Sequence, residues 1–220
     1  MSLARNLASL GQKMRPLDFT TPQGAKLRLA VAENASDKFT TYGVDVVHEL
    51  ELEAVRKCAA SLEEPLVFFD VGANSGLYTI HTRLGLSDIS TVSEKSTWLC
   101  IEPNPEMLMR LTANLSFNGF TDTKILVYGV SDKAETAVLD IGVAANNLGQ
   151  ASLVTDMETA NTPLAIKTTT LQTIIDDLGA GTPHIIKVDI EGHEITMFDY
   201  YWKECGSNKP KLIIVEMWDN

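Results

Sequence analysis

Short apolar runs alternate with segments of helical spacing along most of this chain. The run that begins at Val67 stops at Asp70, and the next segment, Leu77–Leu84, has the apolar spacing of a helix. Strands are also predicted at Trp98–Ile101, Lys124–Val130, His184–Asp189 and Lys211–Glu216, and helices at Pro105–Asn118, at Leu171–Leu178 and from Glu191 onward. Strands that alternate with helices predict an α/β fold, a doubly wound, mostly parallel sheet with helices on both faces.

Two stretches depart from this alternation. Residues 1–64 are predicted to be a lead-in or cap segment that packs on a core domain formed by residues 65–220. The lead-in is predicted to hold a helix at Leu3–Leu10, strands at Leu27–Ala32 and Thr40–Val47, and a helix over His48–Leu62. The second stretch, about residues 133–182, is predicted to be an insertion before the fourth strand, with short antiparallel strands at Ala137–Ile141, Ala151–Val154 and Ala165–Thr169.

Composition and charge narrow the classes of function. The 220 residues are enough for one α/β domain with a sizeable core. A formal net charge of −11 argues against a nucleic-acid partner, because such binding relies on clustered Lys and Arg side chains. No apolar run approaches the roughly 18 residues that would predict a membrane span. The three cysteines, Cys58, Cys100 and Cys205, form no C-x-x-C pair, so neither a disulfide framework nor a zinc site is predicted, and a cytoplasmic location is expected.

Polar or acidic residues stand at the ends of the predicted strands. Right-handed crossovers bring the carboxyl ends of parallel strands to one edge of the sheet. The residues expected to gather there are Asp70, Glu102, Ser131, Asp189 and Glu216. Because open α/β sheets bind their ligands beyond this edge, the sequence predicts a ligand site there.

A glycine-rich turn, Gly72 to Leu77, follows the first predicted strand of the core. A dinucleotide-binding turn needs the pattern G-x-G-x-x-G, so that the backbone can approach a pyrophosphate. Counted from Gly72, the second and third glycine positions hold Asn74 and Leu77. The pattern therefore disfavours a pyrophosphate, although a nucleotide-dependent oxidoreductase on a similar fold stays an alternative.

S-adenosyl-L-methionine makes a different demand on such a turn. Its amino-acid end carries a carboxylate, which backbone amides at a helix N-terminus can bind, and an ammonium, which an acid such as Asp70 can bind. An acid at the tip of the next strand, here Glu102, is where the hydroxyls of a ribose are usually held. The two positions together predict a pocket for an adenosine-containing cofactor.

Six motifs, DVGANSG, IEPNP, LTANLSFNG, GVSD, KVDIEGHE and IIVEMW, resemble those of the FkbM-type methyltransferases. The resemblance covers about Gly43 to Trp218, and the KVDIEG element is its most specific part. It implies a Rossmann-like fold of the class I methyltransferases and the cofactor S-adenosyl-L-methionine. The residues that it assigns to the cofactor are Asp70, Gly72, Ala73, Asn74 and Gly76 at the methionine end, Glu102, Pro103 and Asn104 at the ribose, and Ser131 and Asp132 near the adenine.

The end of the fourth predicted strand carries the candidates for catalysis. By resemblance, Asp189 and Glu191 face the methyl group and the substrate. We expect Asp189 to position the acceptor or the methyl region of the cofactor and Glu191 to act as the general base, with His193 as an alternative base. These residue types with Glu216 also fit an oxygen-rich metal site, but their spacing is not diagnostic, so no metal is predicted. Lys187, in mid-strand, is expected to pair with Glu216.

The sequence departs from the family pattern at two places. Gln172 stands where the family usually has an acid. The sequence leaves only four residues after the fifth strand, so the final antiparallel hairpin of class I methyltransferases is expected to be absent; either the chain is truncated or another element covers that edge. An open sheet edge would favour a homodimer. The prediction is an enzyme that methylates oxygen of a small-molecule or sugar-like acceptor, and the choice of oxygen rests on the resemblance alone. A non-catalytic module that retains the cofactor pocket is the second alternative.

Overall fold

A computed structural model describes residues 17–29, 35–42, 47–93, 95–141, 151–154, 158, 160–179, 181–207 and 209–216. The strands are β1 (Leu17–Thr20), β2 (Lys26–Leu29), β3 (Val67–Val71), β4 (Thr97–Ile101), β5 (Lys124–Leu126), β6 (Gly129–Ser131), β7 (Thr136–Asp140), β8 (Ser152–Val154), β9 (Pro163–Thr170), β10 (Ile185–Val188) and β11 (Leu212–Val215). The helices are α1 (Ala35–Thr41), α2 (Glu49–Ala60), α3 (Leu77–Gly85), α4 (Pro105–Phe117), α5 (Leu171–Leu178) and α6 (Glu194–Glu204). The predicted helix Leu3–Leu10 lies outside the described residues.

The central sheet has five strands in the order β11-β10-β3-β4-β5, and every neighbouring pair is parallel. The chain runs outward from β3 through β4 to β5, and then returns to the other side of β3 for β10 and β11. This order is that of a Rossmann-like sheet, and the predicted fold class is confirmed. Its topological switch point, where such folds bind ligands, lies between β3 and β10.

Apolar side chains project from both faces of this sheet. Phe69 on β3 packs with α5 and α6 on one face, where Tyr201 is buried. Phe68, its neighbour in sequence, points to the opposite face and packs with Trp98 and with residues of α2. Burial of each such side chain contributes about 1.5–3 kcal/mol. Because both faces are covered, the β3 sequence is a continuous apolar run interrupted only by Asp70. No helix among the described residues is long and apolar enough to span a membrane.

A second sheet, in the order β6-β9-β7-β8, stands beside the first. β9 pairs antiparallel with β7, and β7 pairs antiparallel with β8, which confirms the short antiparallel strands predicted for the insertion. The single predicted strand Lys124–Val130 is wrong, because β5 ends at Leu126 and β6 begins a new sheet at Gly129, parallel to β9. A Cβ at Gly129 would lie 2.9 Å from Cδ1 of Ile166 on β9, so the lack of a side chain permits this close crossing.

Described residues of β2 and α2 pack against residues of the predicted core domain, but one predicted element of the lead-in differs. The predicted strand Thr40–Val47 is wrong at its start, because Thr40 and Thr41 end helix α1; residues 43–46 lie outside the described part of the chain. Asp37 and Thr40, three positions apart and so on one helical face, are both buried. Tertiary burial thus overrides the strand preference of the threonines. β1, which was not predicted, pairs antiparallel with β2, and β2 packs on α4.

Candidate functional site

A cavity opens at the carboxyl ends of β3, β4 and β10, next to the switch point of the sheet. The polar part of the lining comes from Gly72, Asn74, Glu102, Pro103, Asn104, Asp189 and Glu191. The apolar part includes Met107 on α4, Tyr128 just before β6, and Leu139, Leu153 and Ile166 on β7, β8 and β9. One cavity therefore combines a concentrated set of carboxylates with a flat apolar wall.

The glycine turn after β3 approaches the end of β10 more closely than a side chain would allow. Gly72 has φ +80°, and a Cβ built on it would lie 1.8 Å from the carbonyl oxygen of Asp189. Gly76, with φ +83°, would place a Cβ 2.6 Å from Cδ1 of Leu111 on α4. Both positions require glycine for its backbone conformation and for space. The turn is thus wedged between β10 and α4.

Every backbone N–H of the turn from Gly72 to Gly76 has an acceptor within the protein. Gly72 and Ala73 both donate to the carbonyl of Ile101, at 2.9 and 3.0 Å, and Gly76 donates to the carbonyl of Ala73 at 2.8 Å. Asn74 donates to Oε2 of Glu102, and Ser75 to Oδ1 of Asn74, each at 2.8 Å. A ligand carboxylate that binds the turn amides, as the sequence predicts, would have to share or replace one of these acceptors.

Asp70 lies in β3 under helix α3 and does not line the cavity. Its Oδ2 accepts a hydrogen bond of 2.5 Å from the hydroxyl of Thr79, whose oxygen is 3.3 Å from Sγ of Cys100. Burial raises the pKa of Asp70, while the bonds from Thr79 and the charge of Lys187 oppose the rise. The residue that was expected to bind the cofactor ammonium thus ties the first turn of α3 to the sheet.

Glu102, immediately after β4, presents its carboxylate at the cavity with both oxygens held. Oε2 accepts from the amide of Asn74 and Oε1 from the amide of Asn104, both at 2.8 Å. Burial raises its pKa to about 7, against the lowering effect of these two amides. Each oxygen retains a second lone pair, so the carboxylate can accept two further hydrogen bonds.

Asp189 and Glu191 follow β10 and form the opposite wall. Burial is the main cause that raises the pKa of each to about 7, and the charge of Glu216 adds to both shifts. Glu191 has φ +54°, an uncommon conformation for a residue with a side chain. Oε1 of Glu194 holds this turn by accepting from the amides of Ile190 and Gly192, at 3.0 and 3.2 Å.

Lys187 and Glu216 form the predicted ion pair at the edge of this wall. Nζ of Lys187 lies 3.6 Å from Oε2 of Glu216, which confirms the expectation. The lysine is buried, whereas half of the glutamate side chain is exposed. Lys187 also lowers the pKa of Asp189 and Glu191, in opposition to Glu216. The pair therefore supplies charges of both signs behind the two cavity carboxylates.

Three of the predicted residues form a separate group outside the cavity lining. Oγ of Ser131 donates to Oδ1 of Asp132 at 3.0 Å and lies 2.9 Å from Nε2 of His193. His193 is the residue before α6, which begins at Glu194. Of the predicted site residues, Asp70, Ala73, Gly76, Ser131, Asp132 and His193 are not in the lining of the cavity.

Sequence analysis predicted neither the apolar wall of the cavity nor the hydrogen bonds by which Glu194 holds the turn of Glu191. The wall is contributed by β6, β7, β8 and β9, whose alternation predicts strands but not the cavity that they face. Glu194 stood in a motif, but only folding shows that its carboxylate caps the turn of Glu191. Among the described residues, no group of three or more His, Cys, Asp or Glu is arranged to hold a metal ion.

One family model matches more than half of the chain. The model of the methyltransferase FkbM domain matches residues 70–219. Hexuronic acid methyltransferase AglP of Haloferax volcanii is 26% identical over 173 residues, which are 76% of this chain and 65% of that protein. This chain therefore spans less than two thirds of that relative.

Two solved structures of methyltransferases are similar to the chain. Methyltransferase FkbM from Methylobacillus flagellatus KT has 18% identity and a TM-score of 0.46, over 83% of this chain and 44% of that one. A SAM-dependent methyltransferase from Agrobacterium tumefaciens has 7% identity and a TM-score of 0.48, over 94% and 54%. The family match extends over more than half of the sequence and confirms the resemblance seen in its motifs: the chain belongs to the FkbM methyltransferase family.

Proposed function

We propose that this chain binds S-adenosyl-L-methionine in the cavity at the ends of β3, β4 and β10 and transfers its methyl group to an oxygen of a small-molecule or sugar-like acceptor. Membership of the FkbM methyltransferase family supports the reaction class. The name of the relative AglP, a hexuronic acid methyltransferase, supports a sugar-like acceptor.

The observation that carries the proposal is the fixed carboxylate of Glu102. Two backbone amides orient it, and its remaining lone pairs suit the two neighbouring hydroxyls of a ribose. Tyr128 and Leu139 in the same lining offer an apolar surface for a purine ring. Asp189 and Glu191 on the opposite wall offer negative charge to a cationic ligand. The residues present thus fit a nucleoside that carries a positive charge.

The chemistry of the site follows from the two carboxylates after β10. When bound, S-adenosyl-L-methionine supplies an electrophilic methyl group. Glu191 takes the proton of the acceptor hydroxyl as it attacks, and its pKa of about 7 makes it an effective base near neutral pH. Asp189 orients the acceptor from the same wall. Orientation of the two reactants accounts for much of the rate increase that such a site can give.

The deciding experiment is isothermal titration calorimetry with S-adenosylhomocysteine and with NAD. We expect binding of S-adenosylhomocysteine and no heat with NAD. Binding of NAD alone would replace the proposal with the oxidoreductase alternative. Absence of binding by S-adenosylhomocysteine would refute the proposed cofactor.

The second experiment tests turnover with radiolabelled methyl groups. S-adenosyl-L-methionine labelled at the methyl group is incubated with a panel of methyl glycosides of hexoses and hexuronic acids. Transfer to an oxygen, located by mass spectrometry and NMR, is the expected result. Cofactor binding without transfer to any acceptor would favour the non-catalytic module instead.

A further inference from the structure

Helix α1 of the lead-in buries a carboxylate against the glycine turn. The side chain of Asp37 is completely buried. Its Oδ1 accepts a hydrogen bond of 3.4 Å from the hydroxyl of Ser75, and its Oδ2 lies 3.5 Å from Nη1 of Arg110 on α4. A buried carboxylate destabilises a protein unless it is paired and hydrogen-bonded, so these contacts define where α1 can lie.

Ser75 is held from three directions. Its amide donates to the side chain of Asn74, its carbonyl accepts from Nδ2 of Asn114 at 2.9 Å, and its hydroxyl donates to Asp37. Asn114 also accepts from the amide of Arg28 on β2 at 2.6 Å, so the lead-in reaches the turn by a second route. Ser75 therefore joins the lead-in to the turn, whose Asn74 lines the cavity.

The turn needs such support because of its backbone. Asn74, which lines the cavity, has φ +51°, and it stands between Gly72 at +80° and Gly76 at +83°. Asn adopts the left-handed conformation more readily than other residues with a side chain, and glycine adopts it freely, so this segment has several accessible conformations and its contacts select one of them. Ser75 is the next residue in the chain, and Asp37 fixes its side chain. The shape of the cavity wall at Asn74 is thus linked to a helix outside the core domain.

We propose that Asp37 is a positioning residue that acts through Ser75 to hold residues 72–76 in the shape that binds the amino-acid end of S-adenosyl-L-methionine. The inference rests on the proposed function, which assigns that end of the cofactor to the turn. Asp37 does not line the cavity and is not a catalytic residue. It makes the lead-in a part of the cofactor site, whereas the sequence predicts only a segment packed on the core.

The test compares two ligands that differ only at the amino-acid end. S-adenosylhomocysteine has that end, and 5′-methylthioadenosine has the same adenosine and thioether without it. For Asp37→Asn we expect the calorimetric affinity for S-adenosylhomocysteine to fall about tenfold, because preorganisation of the turn is lost, and the affinity for 5′-methylthioadenosine to stay within about twofold.

Two further variants secure the comparison. Ser75→Ala removes the hydroxyl but leaves the pair of Asp37 with Arg110, so this variant should fold even where Asp37→Asn does not. It should lower the affinity for S-adenosylhomocysteine without lowering the affinity for 5′-methylthioadenosine. Asp18→Asn breaks the exposed pair with Arg28 in the same lead-in, at 2.9 Å, and should change neither affinity.

Three outcomes decide the matter. A selective loss for S-adenosylhomocysteine supports the inference. Equal losses for both ligands, or no loss for either, in Ser75→Ala would overturn it and leave α1 as a stabilising element only. A wild-type protein that binds neither ligand would refute the proposed function itself and this inference with it.

Discussion

The two walls of the cavity carry carboxylates in contrasting surroundings. The turn wall, residues 72–76 with Glu102, surrounds its carboxylate with backbone amides, each at 2.8 Å. The β10 wall, residues 189–191, surrounds its carboxylates with other acids, Glu194 and Glu216, balanced by Lys187. Amide donors fix the orientation of a carboxylate, whereas neighbouring negative charges make it hold its proton more tightly.

Burial is the main cause of the raised pKa in both walls, and only the smaller contributions differ between them. Burial raises the pKa of both Glu102 and Glu191 to about 7. The amides of Asn74 and Asn104 oppose this rise at Glu102, while Glu216 and Glu194 reinforce it at Glu191. A fixed acceptor suits recognition of hydroxyl groups, and a crowded acid suits transfer of a proton. This contrast is the physical basis for separating binding from catalysis in the proposed function.

The largest effect is expected from Gly72→Ala, which breaks the junction of the two walls. The new Cβ would lie 1.8 Å from the backbone oxygen of Asp189, and neither backbone can yield without moving β3 or β10. We expect the free energy of unfolding in urea to fall by about 4 kcal/mol, and binding of S-adenosylhomocysteine to be lost.

Gly119→Ala is the matched control for this change. Gly119 has φ +75°, close to that of Gly72, but no atom lies within 4 Å of the added Cβ. The alanine therefore lowers the free energy of unfolding only through its left-handed backbone conformation, by about 1 kcal/mol. Equal losses of stability in the two variants would contradict the close approach of the two walls.

Both walls could be predicted from the sequence because their signals are local. Gly72 follows Asp70 by two residues, and Glu191 follows Asp189 by two, so strand, turn and acid are read from one short segment. Asp70 shows the limit of such reasoning. The sequence establishes that it ends an apolar run, but its hydrogen bond with Thr79 and its place outside the cavity lining depend on the helix that packs on β3.

The parts that escaped prediction depend on contacts distant in sequence. Asp37 meets Ser75 across 38 positions, and no spacing rule connects them. The apolar run through Val127 looks like one strand, yet the chain leaves the central sheet there to pair with β9, and Val127 is exposed. Tertiary packing decides such matters against local preference, which is why the single strand Lys124–Val130 and the start of the strand Thr40–Val47 were wrongly predicted.

Glu191→Gln tests whether the β10 wall acts in turnover rather than in cofactor binding. The amide has the size of the carboxyl group but cannot accept the proton of the acceptor. We expect kcat with the best acceptor of the glycoside panel to fall about 10²–10³-fold. The affinity for S-adenosylhomocysteine, measured by calorimetry, should change by less than about threefold, because the sulfur of this ligand carries no positive charge for Glu191 to attract. Normal turnover would exclude Glu191 as the base, and His193→Gln would then be the variant to assay.

Glu102→Gln should show the opposite pattern at a smaller magnitude. The side-chain NH2 group would face the amide of Asn74 or Asn104, so one donor loses its acceptor and the side chain loses its fixed orientation. We expect the affinity for S-adenosylhomocysteine to fall about tenfold, or about 1.4 kcal/mol, with kcat at saturating cofactor reduced far less. A change in kcat without a change in affinity would reverse the roles assigned to the two walls.

The smallest effect is expected for Glu216→Gln, on the pH dependence of turnover. Glu191 acts as a base only when deprotonated, so kcat should rise with pH through its pKa of about 7. The charge of Glu216 raises that pKa, and Lys187 lowers it. Removal of the Glu216 charge also frees Lys187 from its partner at 3.6 Å, so both changes move the pKa of Glu191 downward. The acid limb of the profile should therefore shift to lower pH by a fraction of a unit.

The pH dependence of cofactor binding is the control for this prediction. Burial is the main cause of the raised pKa of Glu102, and Glu216 is not among the causes, so this pH dependence should not change. A parallel shift of both profiles would mean that the two walls titrate as one unit, and the contrast between them would then be lost.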